Sequence, residues 1–272
     1  MIFNKIKKFL PPFIQNKLNI NYSFELYPDY KTALADGDGY EDENLVKVII
    51  AKTLNLKDRL KKNPTLDAPS LRIFVAIANS IKDNQLTVLD FGGSAGAHYF
   101  IVKSILGEDI NLDWRVVETP KMVEEAVKNK LENKELTFYD NLASATNEKK
   151  IDLAVAIGSV HYTENPYDIL KEIVKKNPSY LFLTRTPLAK KELILLQETS
   201  YSKNGIGKIP EEMNIKDKKI KYPVTILNRE KVENIINNYG NILLKIDEDK
   251  AAYKTKSESF DLFGYLVKNF RL

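Results

Sequence analysis

The chain has 272 residues, 43% of them hydrophobic and 29% charged, enough for one large α/β domain with a smaller appendage. It has no cysteine, which excludes disulfides, thiolate zinc sites and cysteine nucleophiles and fits a reducing, cytoplasmic setting. The formal charge of +4 resides in Lys5, Lys7, Lys8 and Lys17; without them 37 basic residues balance 37 acidic ones, so the body lacks the basic face of a nucleic-acid binder.

The basic N-terminus is too interrupted by lysines, and ended too soon by Pro11-Pro12, to be a signal peptide. It reads as a short helix packed on its own domain or on a second copy in a homodimer, with an interfacial membrane helix as the rival. No stretch approaches the ~20 apolar residues of a transmembrane segment. Residues 1–85 are expected to form a helical extension over the rest. Asp42-Glu43-Asn44 opens a helix running to about Lys62, with acids at its start, lysines at its end and Pro64 beyond it. A second helix is expected from Pro69 to about Lys82.

From Thr87 the pattern changes to short apolar runs alternating with helical stretches: LTVLDF, DWRVVE, ELTFYD, IDLAVAIG and SYLFLTR. Nearly continuous apolar strands between helices predict a parallel sheet covered on both faces. Residues 186–222 are polar, lysine-rich and without a clear element, and read as an insertion on the acceptor side. YPVTIL, a helix from Arg229, and the strands NILLKID and FDLFGYLVKN follow; the last two predict an antiparallel hairpin at the sheet edge.

The chemistry concentrates where the first apolar strand ends, at Asp90-Phe91-Gly92-Gly93-Ser94-Ala95-Gly96. Ligands of open α/β sheets bind beyond the carboxyl ends of the strands, where this turn falls. A nicotinamide dinucleotide would place its pyrophosphate here, against the charge of Asp90. S-adenosylmethionine carries no phosphate, and its cationic groups suit Asp90. Glu118 ends the second strand, where a carboxylate can accept two ribose hydroxyls, and Asp140 and Asn141 end the third, where they can meet an adenine amine. Gly158-Ser159-Val160-His161-Tyr162 follows the fourth strand. His161 is the candidate general base for a hydroxyl acceptor, with packing as the plainer reading. His98, early in the helix after the glycine turn, is a second candidate. Arg185, at the end of the fifth strand, could hold a phosphate or carboxylate of the acceptor, or pair with a nearby acid. Tyr40 could face the sulfonium. The Asp36-Gly37-Asp38-Gly39 run lacks a downstream bidentate glutamate and is not read as a metal site.

D-F-G-G-S-A-G resembles the first motif of class I methyltransferases, with Ser94 in place of the usual middle glycine. More closely, the chain resembles a family of methyltransferases found among bacterial surface-polysaccharide biosynthesis genes. The pieces that carry the likeness are Tyr30 to Ala35 with Gly39-Tyr40, Gly92-Gly93 to Gly96 with His98-Tyr99, Val117-Glu118-Thr119-Pro120, Tyr162, Arg185-Thr186-Pro187, Gln197 and Phe260-Asp261-Leu262. The resemblance implies a seven-stranded sheet in the order 3-2-1-4-5-7-6 with the last strand antiparallel. It also implies S-adenosylmethionine as cofactor, held by Tyr40, Asp90, Gly92, Gly93, Ser94, Gly96, Glu118, Thr119, Asp140, Asn141, Gly158 and Ser159, and a biosynthetic setting without identifying the acceptor, which is expected to be a carbohydrate: a sugar, sugar phosphate or nucleotide-linked sugar. A nicotinamide-dependent sugar oxidoreductase or epimerase is the rival, weakened by Asp90 and by the missing Tyr-x-x-x-Lys pair. A catalytically silent cofactor-binding scaffold is the other.

Overall fold

The computed structural model describes residues 25–147, 149–255 and 258–271. The basic N-terminal segment and the helix expected there lie outside the described residues.

The first long helix forms for the reasons its sequence suggests. α2 (Glu43–Lys62) follows a short helix α1 (Tyr30–Ala35); the Asp42 carboxylate accepts from the Leu45 N–H at 2.9 Å, and Arg59, Lys61 and Lys62 face the negative end of the helix dipole. A 3-10 turn at Pro69–Leu71 leads into α3 (Ile73–Ser80). The alternating part follows as β2 (Gln85–Phe91), α4 (Ala97–Leu106), β3 (Asn111–Val117), α5 (Pro120–Lys128), β4 (Leu136–Tyr139), α6 (Leu142–Thr146), β5 (Leu153–Ile157), α7 (Pro166–Lys175) and β6 (Tyr180–Ala189). The chain closes with α8 (Arg229–Tyr239), β9 (Gly240–Asp247), the two-residue β10 (Tyr253–Lys254) and β11 (Ser259–Asn269).

β4, β3, β2, β5 and β6 are parallel neighbours in that order, and β11 lies antiparallel between β6 and β9. This is the 3-2-1-4-5-7-6 order, with the antiparallel strand in its expected place. The C-terminal hairpin therefore brings its second strand inside the sheet and leaves β9 at the edge. Apolar layers cover both faces: α2 to α5 pack on one side, α6 to α8 on the other. The carboxyl ends stay in step, because Gly92 N–H donates to Val117 O, Glu118 N–H to Tyr139 O, and Gly158 N–H to Thr184 O.

Two expectations need correction. The segment 186–222 is not a structureless insertion. It holds β7 (Leu193–Ser200) and the start of β8 (Lys219–Asn228), which pair antiparallel, and β1 (Glu25–Tyr27) of the supposedly helical N-terminal stretch adds to β7. Among the described residues the sheet is thus eleven-stranded, its seven-stranded part extended by β1, β7, β8 and β10. β7 escaped notice because it buries only Leu195 and Leu196 and is flanked by lysines, so it carries a weak period-2 signal. β6 runs past the end of β5, and its last residues, Leu188 and Ala189, pair with β8. Among the described residues no helix is long and apolar enough to cross a membrane.

Candidate functional site

A cavity of about 640 Å³ opens at the carboxyl ends of β2, β5 and β6, within the size range of small-molecule sites. Its floor is the turn Gly92–Ser94 with His98, and its back wall is Gly158, His161, Tyr162 and Arg185. α2 contributes Ile49 and Thr53, and Tyr40 precedes it. The small antiparallel sheet contributes Gln197, Thr199 and Tyr222, and the 203–207 loop closes over them. Arg72, Asp249 and Tyr253, none of which the sequence singled out, complete the wall.

Not all expected site residues reach it. Asp90 is wholly buried beneath the turn. Its Oδ2 accepts from Trp114 Nε1 at 3.1 Å and lies 3.3 Å from His98 Nδ1, and its Oδ1 has no protein partner. The expected contact with a cationic ligand is therefore corrected: Asp90 acts on the turn from below. A Cβ on Gly93 would lie 2.5 Å from that carboxylate, and one on Gly92 would lie 2.3 Å from Ser159 Cβ. Gly96 has φ of 78° and its open side faces Leu136 and Phe138. These glycines are required by their protein neighbours first. Ser159 donates from Oγ to Phe91 O at 2.7 Å, tying the exits of β2 and β5 together.

Glu118, at the end of β3, accepts from the Ser94 N–H at 2.8 Å and the Thr119 N–H at 2.9 Å. Burial nevertheless pushes its carboxyl up to about 7, with the charge of Asp90 adding to the effect. A carboxylate still short of donors after two N–H bonds has a place for two ribose hydroxyls. Asp140 and Asn141 sit at the end of β4, outside the cavity wall. Asn141 Oδ1 caps α6 by accepting from the Ser144 N–H, and its amide donates to Asp140 at 2.6 Å. Their amide and carboxylate bond each other first, which weakens the adenine role expected of them. Thr119 caps α5 without a side-chain hydrogen bond.

Tyr40, Tyr162 and Tyr222 form one aromatic cluster, Tyr40 lying nearly parallel to Tyr162 at 6.1 Å and edge-on to Tyr222 at 5.2 Å. The Tyr162 hydroxyl meets Gln197 Oε1 at 3.1 Å and the Tyr253 hydroxyl at 3.0 Å. His161 is almost fully buried, and its Nδ1 has neither solvent nor a protein partner. An N–H at that atom would be a buried donor with nothing to bond, so the proton belongs on Nε2. Desolvation, assisted by the nearby Arg185 charge, pushes the imidazole down to about 3. The base expected from its position is thus a neutral ring that holds a proton poorly.

Arg185 has φ of 53° and pairs with Asp249 at 3.7 Å. Asp36 and Asp38 serve the scaffold: Tyr27 donates to Asp36, and the Lys221 N–H donates to Asp38.

No family model matches the sequence, and no curated protein matches it. The chain is similar in path to several solved structures. One is an S-adenosylmethionine-dependent methyltransferase from Clostridium acetobutylicum, at 14% identity and TM-score 0.46, covering 79% of this chain and 97% of that one. Another is the [4+2]-cyclase SpnF, at 12% and 0.49, covering 92% and 99%. A third is the glycopeptide N-methyltransferase MtfA in complex with S-adenosylmethionine, at 13% and 0.43, covering 72% and 92%. These overlaps are loose; the assignment of a mostly parallel, Rossmann-like α/β fold rests on the strand order itself.

Proposed function

We propose that this protein is an S-adenosylmethionine-dependent methyltransferase acting on a hydroxyl of a sugar, sugar phosphate or nucleotide-linked sugar in surface-polysaccharide assembly. The observation that carries the reading is the use already made of the first turn. The Ser94 N–H, which a dinucleotide-binding turn would offer to a pyrophosphate, is given to the Glu118 carboxylate, and a second carboxylate, Asp90, lies under the same turn. An anion there faces the oxygens of two carboxyl groups; a cationic ligand with a ribose is favoured by them. The resemblance to the polysaccharide-associated family and the polar wall of Tyr162, Gln197 and Tyr253 support the acceptor class.

When bound, the cofactor supplies an electrophilic methyl group on a sulfonium. Glu118 holds the ribose by its remaining lone pairs. Tyr40 and Tyr162 exclude water and present ring faces that favour a cation. His161 Nε2–H would orient the acceptor oxygen rather than take its proton. As the new C–O bond forms and the S–C bond breaks, that proton would pass to solvent at the open mouth of the cavity, so most of the rate gain comes from alignment.

Calorimetric titration of the full chain with S-adenosylhomocysteine and with NAD tests this. Binding of the first and not the second is expected; the reverse replaces the reading with a nicotinamide enzyme. Turnover is then read as transfer of a labelled methyl group to glycan precursors. Cofactor binding with no transfer to any hydroxyl substrate would leave the scaffold reading instead.

A further inference from the structure

Two guanidinium groups from opposite sides of the cavity converge on one acidic side chain. Arg72 comes from the turn before α3, Arg185 from the middle of β6, and both line the cavity. Arg185 sits where β6 leaves β5 and bulges: Thr184 and Arg185 stand against Gly264 in the register with β11. The left-handed backbone at Arg185 and this bulge turn its side chain out of the ladder, and the guanidinium side of Arg185 comes near Gly158, close to His161. Glu248 bonds both residues, Arg72 through its guanidinium and Arg185 through its main chain. Its side chain is completely buried; Oε1 accepts from the Arg185 N–H at 2.6 Å, and Oε2 accepts from Arg72.

Asp249, one residue on, is bound quite differently. Its carboxylate lies 3.7 Å from Arg185 and 4.0 Å from Arg72, and both it and the Arg185 side chain are about half exposed. Charge-assisted hydrogen bonds close to 2.7–2.9 Å, roughly an ångström shorter than either contact. Exposed pairs of this kind contribute little, so displacing Asp249 is cheap. The buried Glu248 bonds, by contrast, keep the Arg72 guanidinium and the Arg185 main chain in place when it leaves.

We propose that Arg72 and Arg185 form a subsite for an oxyanion, a carboxylate or phosphate carried by the acceptor, and that Asp249 occupies it until that group binds. Two planar forks suit such a group better than lysines would. The inference rests on the acceptor reading above for its place in the reaction, and it makes the acceptor an acidic or phosphorylated sugar.

Titration calorimetry of the full chain at low ionic strength tests it, with inorganic phosphate, glucuronate and neutral methyl glucoside as probes. Phosphate or glucuronate should bind and methyl glucoside should not. Asp249→Asn should bind the oxyanion roughly tenfold more tightly, and Arg185→Gln at least roughly tenfold more weakly. Binding of phosphate alone assigns a phosphate, of glucuronate alone a carboxylate; either supports the subsite. No oxyanion binding by Asp249→Asn, or equal binding by Arg185→Gln and the parent, overturns it. Should Arg185→Gln fail to fold, Arg185→Lys keeps the charge without the fork and should bind several-fold more weakly. S-adenosylhomocysteine titrated into the parent separates the two readings: its failure with oxyanion binding intact removes the methyltransferase, and the reverse removes the subsite.

Discussion

At the scale of residues, two titrating groups of the site are displaced in opposite directions, and their linkage to stability differs in sign. Glu118 is raised from an ordinary glutamate value to about 7, so between about pH 4.5 and 7 the folded chain binds more protons than the unfolded one, and stability falls as pH rises. His161 is lowered from 6.5 to about 3, so over that interval the unfolded chain binds more protons and stability is lost as pH falls. The two oppose each other across much of the acid range. The Glu118 effect also reaches the ligand. If its carboxylate accepts ribose hydroxyls, only the ionised form binds well, and S-adenosylhomocysteine affinity should rise about tenfold from about pH 6 to about pH 8. Calorimetry at the two pH values reads this directly; a flat profile removes Glu118 from the ribose. For His161 the expectation follows from its sealed Nδ1 and depressed basicity. His161→Gln keeps a donor near Nε2 and should hold turnover within about tenfold of the parent, below the roughly 10²–10⁴-fold expected of a lost general base. A larger loss, together with loss of an acidic limb in the pH–rate profile, would restore the base.

At the scale of elements, the 201–207 loop shows how a cavity wall is fixed from a distance. Lys52 of α2 is 1% exposed, and its ammonium donates to three backbone carbonyls: Ser202 at 3.0 Å, Asn204 at 2.5 Å and Gly205 at 2.9 Å. Burial lowers its basicity, but three charge-assisted bonds offset much of that cost. Lys52→Met fills similar space and leaves those carbonyls without their donor. It should cost roughly 1–3 kcal/mol in urea denaturation and raise amide exchange across 198–207 ahead of the rest of the sheet. Unchanged exchange there would mean the loop is held by Tyr222 and Asn204 alone, whose side chains bond at 2.8 Å. Such contacts mark the limit of what the sequence discloses. β2, β3, β5 and β6 were legible because both their faces are buried, and the glycine turn because backbone chemistry is written locally. Nothing in the local sequence around Lys52 points to its role, because its partners lie some 150 positions away. Arg72 and Glu248, 176 positions apart, meet only because the fold brings the turn before α3 beside the β9–β11 connection.

At the scale of the whole molecule, the question is whether residues before β2 form a detachable lid. α2 alone buries Leu45, Val46, Val48 and Ile49 completely and Ile50, Leu56 and Leu60 nearly so, in the same apolar layer as Val88, Trp114 and Val116 of the central strands. At roughly 1.5–3 kcal/mol for each fully buried aliphatic side chain, that helix contributes an amount comparable to the net stability of about 5–15 kcal/mol typical of a domain. Area bookkeeping overstates the gain, and ordering the helix offsets part of it, yet removing α2 also uncovers one face of the sheet. β1 is a further attachment, paired with β7 through Glu25, Leu26 and Tyr27. A chain truncated to residues 86–272 should therefore lack a cooperative thermal transition, lose the near-ultraviolet dichroism of Trp114, and expose enough apolar surface to aggregate or bind a hydrophobic dye. It should also fail to bind S-adenosylhomocysteine, because Tyr40 leaves with the deleted segment and the Gly92–Ser94 turn loses its support from α2 and α3. A truncated chain that melts cooperatively would show that β2 to β11 carry their own core and that the first helices are a lid. Binding in that same chain would further remove Tyr40 from the cofactor site.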